Sequence, residues 1–201
     1  MTYSMKGRSL RSKKTRAAGL SGVRFLRHLP MNRRGSNIRY KFTNYFRGFG
    51  KISVVRDIFG DETDEVLRDL QIEFLNLRTD YIWVSNKDGH LIANANYVKT
   101  GEKRAIYLDM IHELVHVKQF REGRRLLLTL GKRFEYVNRP TELEAYRRTI
   151  REARRLGMSE EEIFDYLKIS WLDEEELRYL ARRLHVRVPY RKHPNRHAKA
   201  R

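Results

Sequence analysis

The run Ile111-His112-Glu113-Leu114-Val115-His116-Val117 sets three ionisable side chains inside an apolar stretch that also includes Met110 and Phe120. An ionisable group in such surroundings is costly unless something pairs with it, which suits a buried active-site helix, the alternative being an ordinary amphipathic helix with two histidines. Residues four apart on an α-helix lie one above the other, so His112 and His116 present their imidazoles to one point. Zinc takes imidazole nitrogens at ~2.0–2.1 Å, and a carboxylate beside its open position can take a proton from water and pass it on. Glu113 has that place, and the apolar flanks would keep bulk water out.

Residues 104–108 read as a short strand leading into this helix, Asp109 as its cap, and Gly123 as the left-handed residue that ends it. A catalytic zinc needs a third protein ligand. No histidine follows until His185, so the ligand is expected to be a carboxylate on a downstream helix, and residues 139–147 supply Glu142 and Glu144. Glu144 shares its stripe with Arg147, Arg148, Arg151 and Arg155, which reads as a solvated face of ion pairs. Glu142 shares its stripe with Ala145, Tyr146, Thr149, Ile150 and Ala153, which reads as the packed face, with Thr141 as N-cap. Glu142 is therefore the expected ligand and Glu144 the second choice. Tyr136, Arg139 and Tyr146 are candidates to stabilise an oxyanion.

His112-Glu113-x-x-His116 followed by Glu142-x-x-Ala145 resembles the gluzincin class of zinc metallopeptidases, above all small minimal gluzincins of the ImmA/IrrE-like and related kinds. The resemblance covers residues 62–157. It implies a zincin-like α+β core: a helix, a small antiparallel sheet, the HExxH helix and a glutamate-bearing helix. It also implies His112, His116 and Glu142 as zinc ligands and Glu113 as the group that activates water for attack on a peptide bond. The residue four past the ligand glutamate, an Asp or Asn in several gluzincins, is here Tyr146, whose phenol is expected to donate a hydrogen bond to a zinc histidine.

Charge divides the chain differently. The net charge is +18, yet residues 1–56 hold 15 Lys/Arg and residues 177–201 hold 9, with no Asp or Glu in either stretch. The middle is slightly acidic. Such ends bind polyanions through phosphate contacts and counterion release, which points to nucleic acid or a ribonucleoprotein, with Lys13, Lys14, Arg16, Arg33, Arg34, Arg39 and Lys41 as candidate contacts. There is no cysteine, no apolar run long enough to span a membrane and no secretory signal, so a cytoplasmic location is expected.

In chain order, residues 1–36 read as a basic disordered arm, with a short helix near 22–28. The basic-aromatic segment 37–56 reads as an element that packs on the core, base stacking being the alternative. Residues 57–158 form the core, with a helix over 61–77 and strands at 81–84, 90–93 and 104–108, the first two joined by a turn at 86–89. A C-terminal helical pair occupies 159–186, opened by a Ser159/Glu162 capping box and with Asp173 capping its second helix, and a basic tail follows at 187–201. His90 reads as a turn-flanking surface residue. The expected function is zinc-dependent peptide hydrolysis at nucleic acid or a nucleoprotein particle. The alternative is a nucleic-acid- or ribosome-binding protein with a non-proteolytic zincin-like core.

Overall fold

The computed structural model describes residues 20, 22–26, 28–30, 32, 38–77, 82–124 and 135–189, and the chain is α+β. The N-terminal described part contains β1 (Arg24–Phe25), β2 (Tyr40–Lys41), α1 (Phe42–Tyr45) and β3 (Phe46–Arg47), with β1 and β3 paired antiparallel. Two short helices, α2 (Ser53–Phe59) and α3 (Thr63–Asp69), precede the strands β4 (Gln71–Leu75), β5 (Ile82–Val84) and β6 (Leu91–Asn94). Helices α4 (Ala95–Thr100), α5 (Lys103–Arg121), α6 (Glu135–Asn138), α7 (Pro140–Arg155), α8 (Glu160–Tyr166) and α9 (Glu174–Arg183) complete the described chain. The main sheet has the order β2-β4-β6-β5 and is mixed: β4 runs parallel to β6, and the other two pairings are antiparallel.

One hydrophobic cluster joins these elements, from Leu20 to Val186. Phe42, Phe46 and Phe49 of the basic-aromatic segment are fully buried in it, so their ring faces are closed to bases. Both C-terminal helices contribute as well, through Ile163, Phe164, Leu177 and Leu180. Their expected starts are present as two capping boxes, Ser159 with Glu162 and Asp173 with Glu176.

Five expectations about elements and caps are corrected. Residues 104–108 are not a strand: α5 begins at Lys103, and Glu102 caps it by accepting from Ala105 N. A helix buried on nearly every side carries no polar stripe, so its apolar run resembles a strand. Asp109 lies inside that helix, where its carboxylate accepts hydrogen bonds from the phenols of Tyr97 and Tyr166. The helix expected over 61–77 covers only Thr63–Asp69; Leu70 turns extended at φ −61°, ψ 129°, and Gln71–Leu75 joins the sheet. Leu70 and Phe74 fit helical spacing and, with Ile72 between them, period 2 as well, and the strand pairing with β6 decides between the two. Finally, Arg24–Phe25, expected within a short helix, are a strand, and the N-cap of α7 is Arg139, with Pro140 at the first position, rather than Thr141.

Other local signals hold. Gly123 has φ +72°, and Arg124 N and Gly123 N return to the carbonyls of Gln119 and Phe120, the paired bonds of a Schellman ending. The turn before β6 closes through Ser85 N to His90 O at 2.8 Å and Gly89 N to Ser85 O at 2.9 Å. Gly89 sits at φ +76°, and a Cβ there would lie 2.4 Å from the Phe120 ring at the end of α5. Gly89→Ala is therefore expected to cost about 2–4 kcal/mol in chemical denaturation, combining left-handed strain with overpacking. A loss below about 0.5 kcal/mol would mean the turn does not hold α5. His90, expected at the surface, is buried, with Nδ1 at 2.5 Å from Asp88 and Nε2 at 3.5 Å from Glu73.

Candidate metal centre

Two helices build the site. α5 packs along α7 and also meets β5, the terminal strand of the main sheet. Ala145 is fully buried on α7, and so small a side chain lets the helices approach closely. His112, Glu113 and His116 are 7, 8 and 7 % exposed, and one donor atom from each falls within 4.8 Å of the others. This buried cluster could hold a metal ion.

The finer geometry brings in α7. His112 Nε2 and His116 Nε2 are 3.0 Å apart, and Glu142 Oε2 lies 3.4 Å from the first and 3.5 Å from the second. Ligands at ~2.0–2.1 Å from a tetrahedral centre are themselves about 3.3–3.4 Å apart. The three atoms thus form a triangle of the size a small divalent cation requires. The donor set, two imidazoles and a carboxylate, suits such an ion chemically.

Electrostatics agree with a cation-seeking cluster. Burial pushes the Glu142 carboxyl upward, but the hydrogen bonds from His112 and His116 overcome it and hold the group well below the usual carboxylate range. Burial also works against the charged form of His116, yet Glu142, Glu113 and the Gln119 bond raise its pKa to about 9. His112 is lowered, mainly by burial, with the His116 charge acting in the same direction. Glu142 thus holds one negative charge against one positive charge on His116, the place that a bound cation would take. Glu113 is pushed up to about 8, chiefly by burial, although a backbone hydrogen bond from Val84 in β5 opposes the shift.

Tyrosines wall the cluster. The Tyr146 ring stands edge-on to His112, with centroids 4.5 Å apart at 64°. Its hydroxyl pairs with that of Tyr136 at 3.1 Å rather than with a histidine, which corrects the expected hydrogen bond. His112 Nδ1 is buried without a hydrogen-bond partner among the described residues. On its Nδ1 side, packing rather than a bond orients that ring, while its Nε2 meets Glu142 and His116. Tyr136 also bonds to the Glu142 carboxylate, and burial first, then Tyr146 and Glu142, raise its pKa well above that of a free phenol. α6, which carries Tyr136, is tied to the C-terminal helices by Tyr179 OH donating to Asn138 Oδ1 at 2.9 Å and by Trp171, whose ring stands edge-on to Tyr136 with centroids 6.0 Å apart. Arg139 lies behind this wall, its guanidinium 5.8 Å from the Tyr136 centroid.

Glu144 points elsewhere. Its Oε2 accepts from Arg124 Nη1 at 2.7 Å and from Gln119 Nε2 at 3.0 Å. Gln119 is the residue that sequence reasoning missed: it is fully buried, with Oε1 at 2.8 Å from His116 Nδ1. The signal was its position three past His116 on the same helix face, in a chain with only two glutamines. Among the candidate nucleic-acid contacts, Arg39 pairs with Asp88 at 2.7 Å and Lys41 is exposed on β2; Lys13, Lys14, Arg16, Arg33 and Arg34 lie outside the described residues. Among the described residues, no helix is long and apolar enough to cross a membrane. Comparison with protein-family models, with curated proteins and with solved structures finds no match.

Proposed function

We propose that the chain is a zinc-dependent metallopeptidase of gluzincin type, with His112, His116 and Glu142 as ligands and Glu113 as the proton-transferring carboxylate. The observation that carries this reading is the triangle of His112 Nε2, His116 Nε2 and Glu142 Oε2 with edges of 3.0, 3.4 and 3.5 Å. A site needed only for structure would require the ligands and not the adjacent Glu113.

Zinc at this position supplies a Lewis acid that polarises a peptide carbonyl and makes water a better nucleophile near neutral pH. The protein's own groups do the remainder. Glu113 takes a proton from the water as its oxygen bonds to the carbonyl carbon, and returns it to the nitrogen as the C–N bond breaks. Val84 holds the Glu113 carboxylate through its backbone N–H, which fixes the acid–base group against the terminal strand of the sheet. An extended peptide adding a strand beside β5 would thereby run past Glu113. The Tyr136 and Tyr146 hydroxyls, both kept protonated by burial, are donors within the same wall.

The basic first 56 residues and last 25 support a polyanionic partner, so the proposed substrate is a protein held on nucleic acid. The test is digestion of a denatured proteome-derived peptide library by the zinc-loaded chain, read by mass spectrometry of new termini. New termini that vanish on chelation and return with zinc support the reading. None above the level of a Glu113→Gln chain would contradict it.

A further inference from the structure

Gln119 does more than fill space between α5 and α7. Its amide NH2 donates to Thr141 O at 3.1 Å and to Glu144 Oε2 at 3.0 Å, two atoms that only accept. The amide therefore cannot be turned round, and its oxygen must face His116 Nδ1 at 2.8 Å. That oxygen carries no hydrogen, so Nδ1 is the donor and Nε2 is left to face Glu142 and His112. Glu144 is fixed from its outer side by Arg124, which reaches both of its oxygens at 2.7 and 3.4 Å. The other histidine has no equivalent, since His112 Nδ1 has no hydrogen-bond partner among the described residues.

Thr141 and Glu144 flank Glu142 on the first turns of α7. One side chain thus touches one metal-facing histidine and, through the backbone beside it, the helix that presents the glutamate. We infer that Gln119 is a positioning residue for the metal centre: it holds the His116 Nδ1–H, and so sets the tautomer that meets an ion once Nε2 is free, and it fixes the distance between the imidazole and carboxylate groups beforehand, with Glu144 and Arg124 as its outer anchor. This rests on the metal-site reading above and adds to it what makes the site preformed.

The role divides into two parts that two substitutions separate. Gln119→Leu removes both the acceptor for His116 and the donors to α7. Gln119→Glu keeps an acceptor for Nδ1–H but loses the donors and faces Glu144 with a like charge. The measurement is the zinc dissociation constant of the full chain by competition with a chromophoric chelator, together with the melting temperature of the metal-free chain and the visible spectrum of its cobalt(II) form.

Gln119→Leu is expected to bind zinc about 10–100-fold more weakly, with an altered cobalt spectrum, as outer partners of metal-binding histidines generally show. Gln119→Glu is expected to stay within a few-fold of wild type for zinc while melting at lower temperature. Unchanged zinc affinity in Gln119→Leu would overturn the inference and leave the metal site standing. Equal losses in both variants, in step with their melting temperatures, would reduce Gln119 to a helix staple and also overturn it. Absence of zinc binding by wild type would overturn the site itself and this inference with it. Should Gln119→Leu fail to fold, Gln119→Glu still decides, because a weakening above about 10-fold there removes the tautomer argument.

Discussion

A Glu113→Gln chain is expected to keep its metal and lose turnover by about 100- to 10,000-fold, the usual contribution of a positioned proton-transfer group. The substitution is nearly isosteric. An amide oxygen can still accept the hydrogen bond that Val84 gives the carboxylate, so the side chain has no reason to move. What the amide cannot do is take a proton from water and hand it to a leaving amine. The triangle is untouched, because His112, His116 and Glu142 meet one another without Glu113. The burial that pushes the Glu113 carboxyl up to about 8 makes a neutral amide no worse a tenant of the site. The expected pattern is therefore equal zinc content, equal melting temperature and a collapse of the library cleavage confined to its rate. Cleavage within 10-fold of wild type would remove Glu113 from the chemistry, and loss of zinc would make it a ligand.

The largest expected loss of stability follows Phe46→Ala, at about 3–5 kcal/mol in denaturant unfolding. Phe46 is fully buried and stacks on Phe42 with centroids 5.1 Å apart at 12°. It also meets Phe25 at 5.6 Å, Phe49 at 6.1 Å and Phe74 of the central strand β4 at 6.5 Å. Phe49 carries the cluster on to Tyr107 of α5 at 5.8 Å, and the Tyr107 hydroxyl donates to buried Glu152 of α7 at 2.5 Å. A basic segment of the sequence is thus wedged behind the two helices that carry His112, His116 and Glu142. Removing its central ring leaves a cavity among groups already held in place by their neighbours. The unfolding should remain a single transition at lower denaturant. A loss under about 1 kcal/mol, or a separate early transition, would mean that residues 38–51 are an appendage rather than part of the core.

The helix of His112, Glu113 and His116 was readable because two histidines, a glutamate and a run of apolar neighbours leave few arrangements. Glu142 was readable from phase, since one face of α7 carries Ala145, Tyr146, Thr149 and Ile150, all buried in the structure. Caps and stops with side-chain signatures were readable too, at Ser159, Asp173 and Gly123. The first turns of α5 were not, because burial on almost every side erases the polar stripe that marks a helix. Nor was the parallel pairing of β4 with β6, which depends on contacts between segments distant in sequence and on no local residue. Phase placed Glu144 on a face of ion pairs, and it does pair with an arginine, but that partner is Arg124 beyond α5, and Glu144 also accepts from buried Gln119, links that run through another helix.

The most direct measurement is zinc per chain by elemental analysis of wild type, Glu142→Gln and Glu144→Gln, each remetallated and freed of excess ion. One zinc per wild-type chain is predicted, with near-complete loss in Glu142→Gln, which removes a charged member of the triangle. Full retention is predicted in Glu144→Gln, whose amide oxygen can still accept from Gln119. Loss confined to Glu144→Gln would move the third ligand one turn-face round α7. No zinc in wild type would contradict the account at its centre.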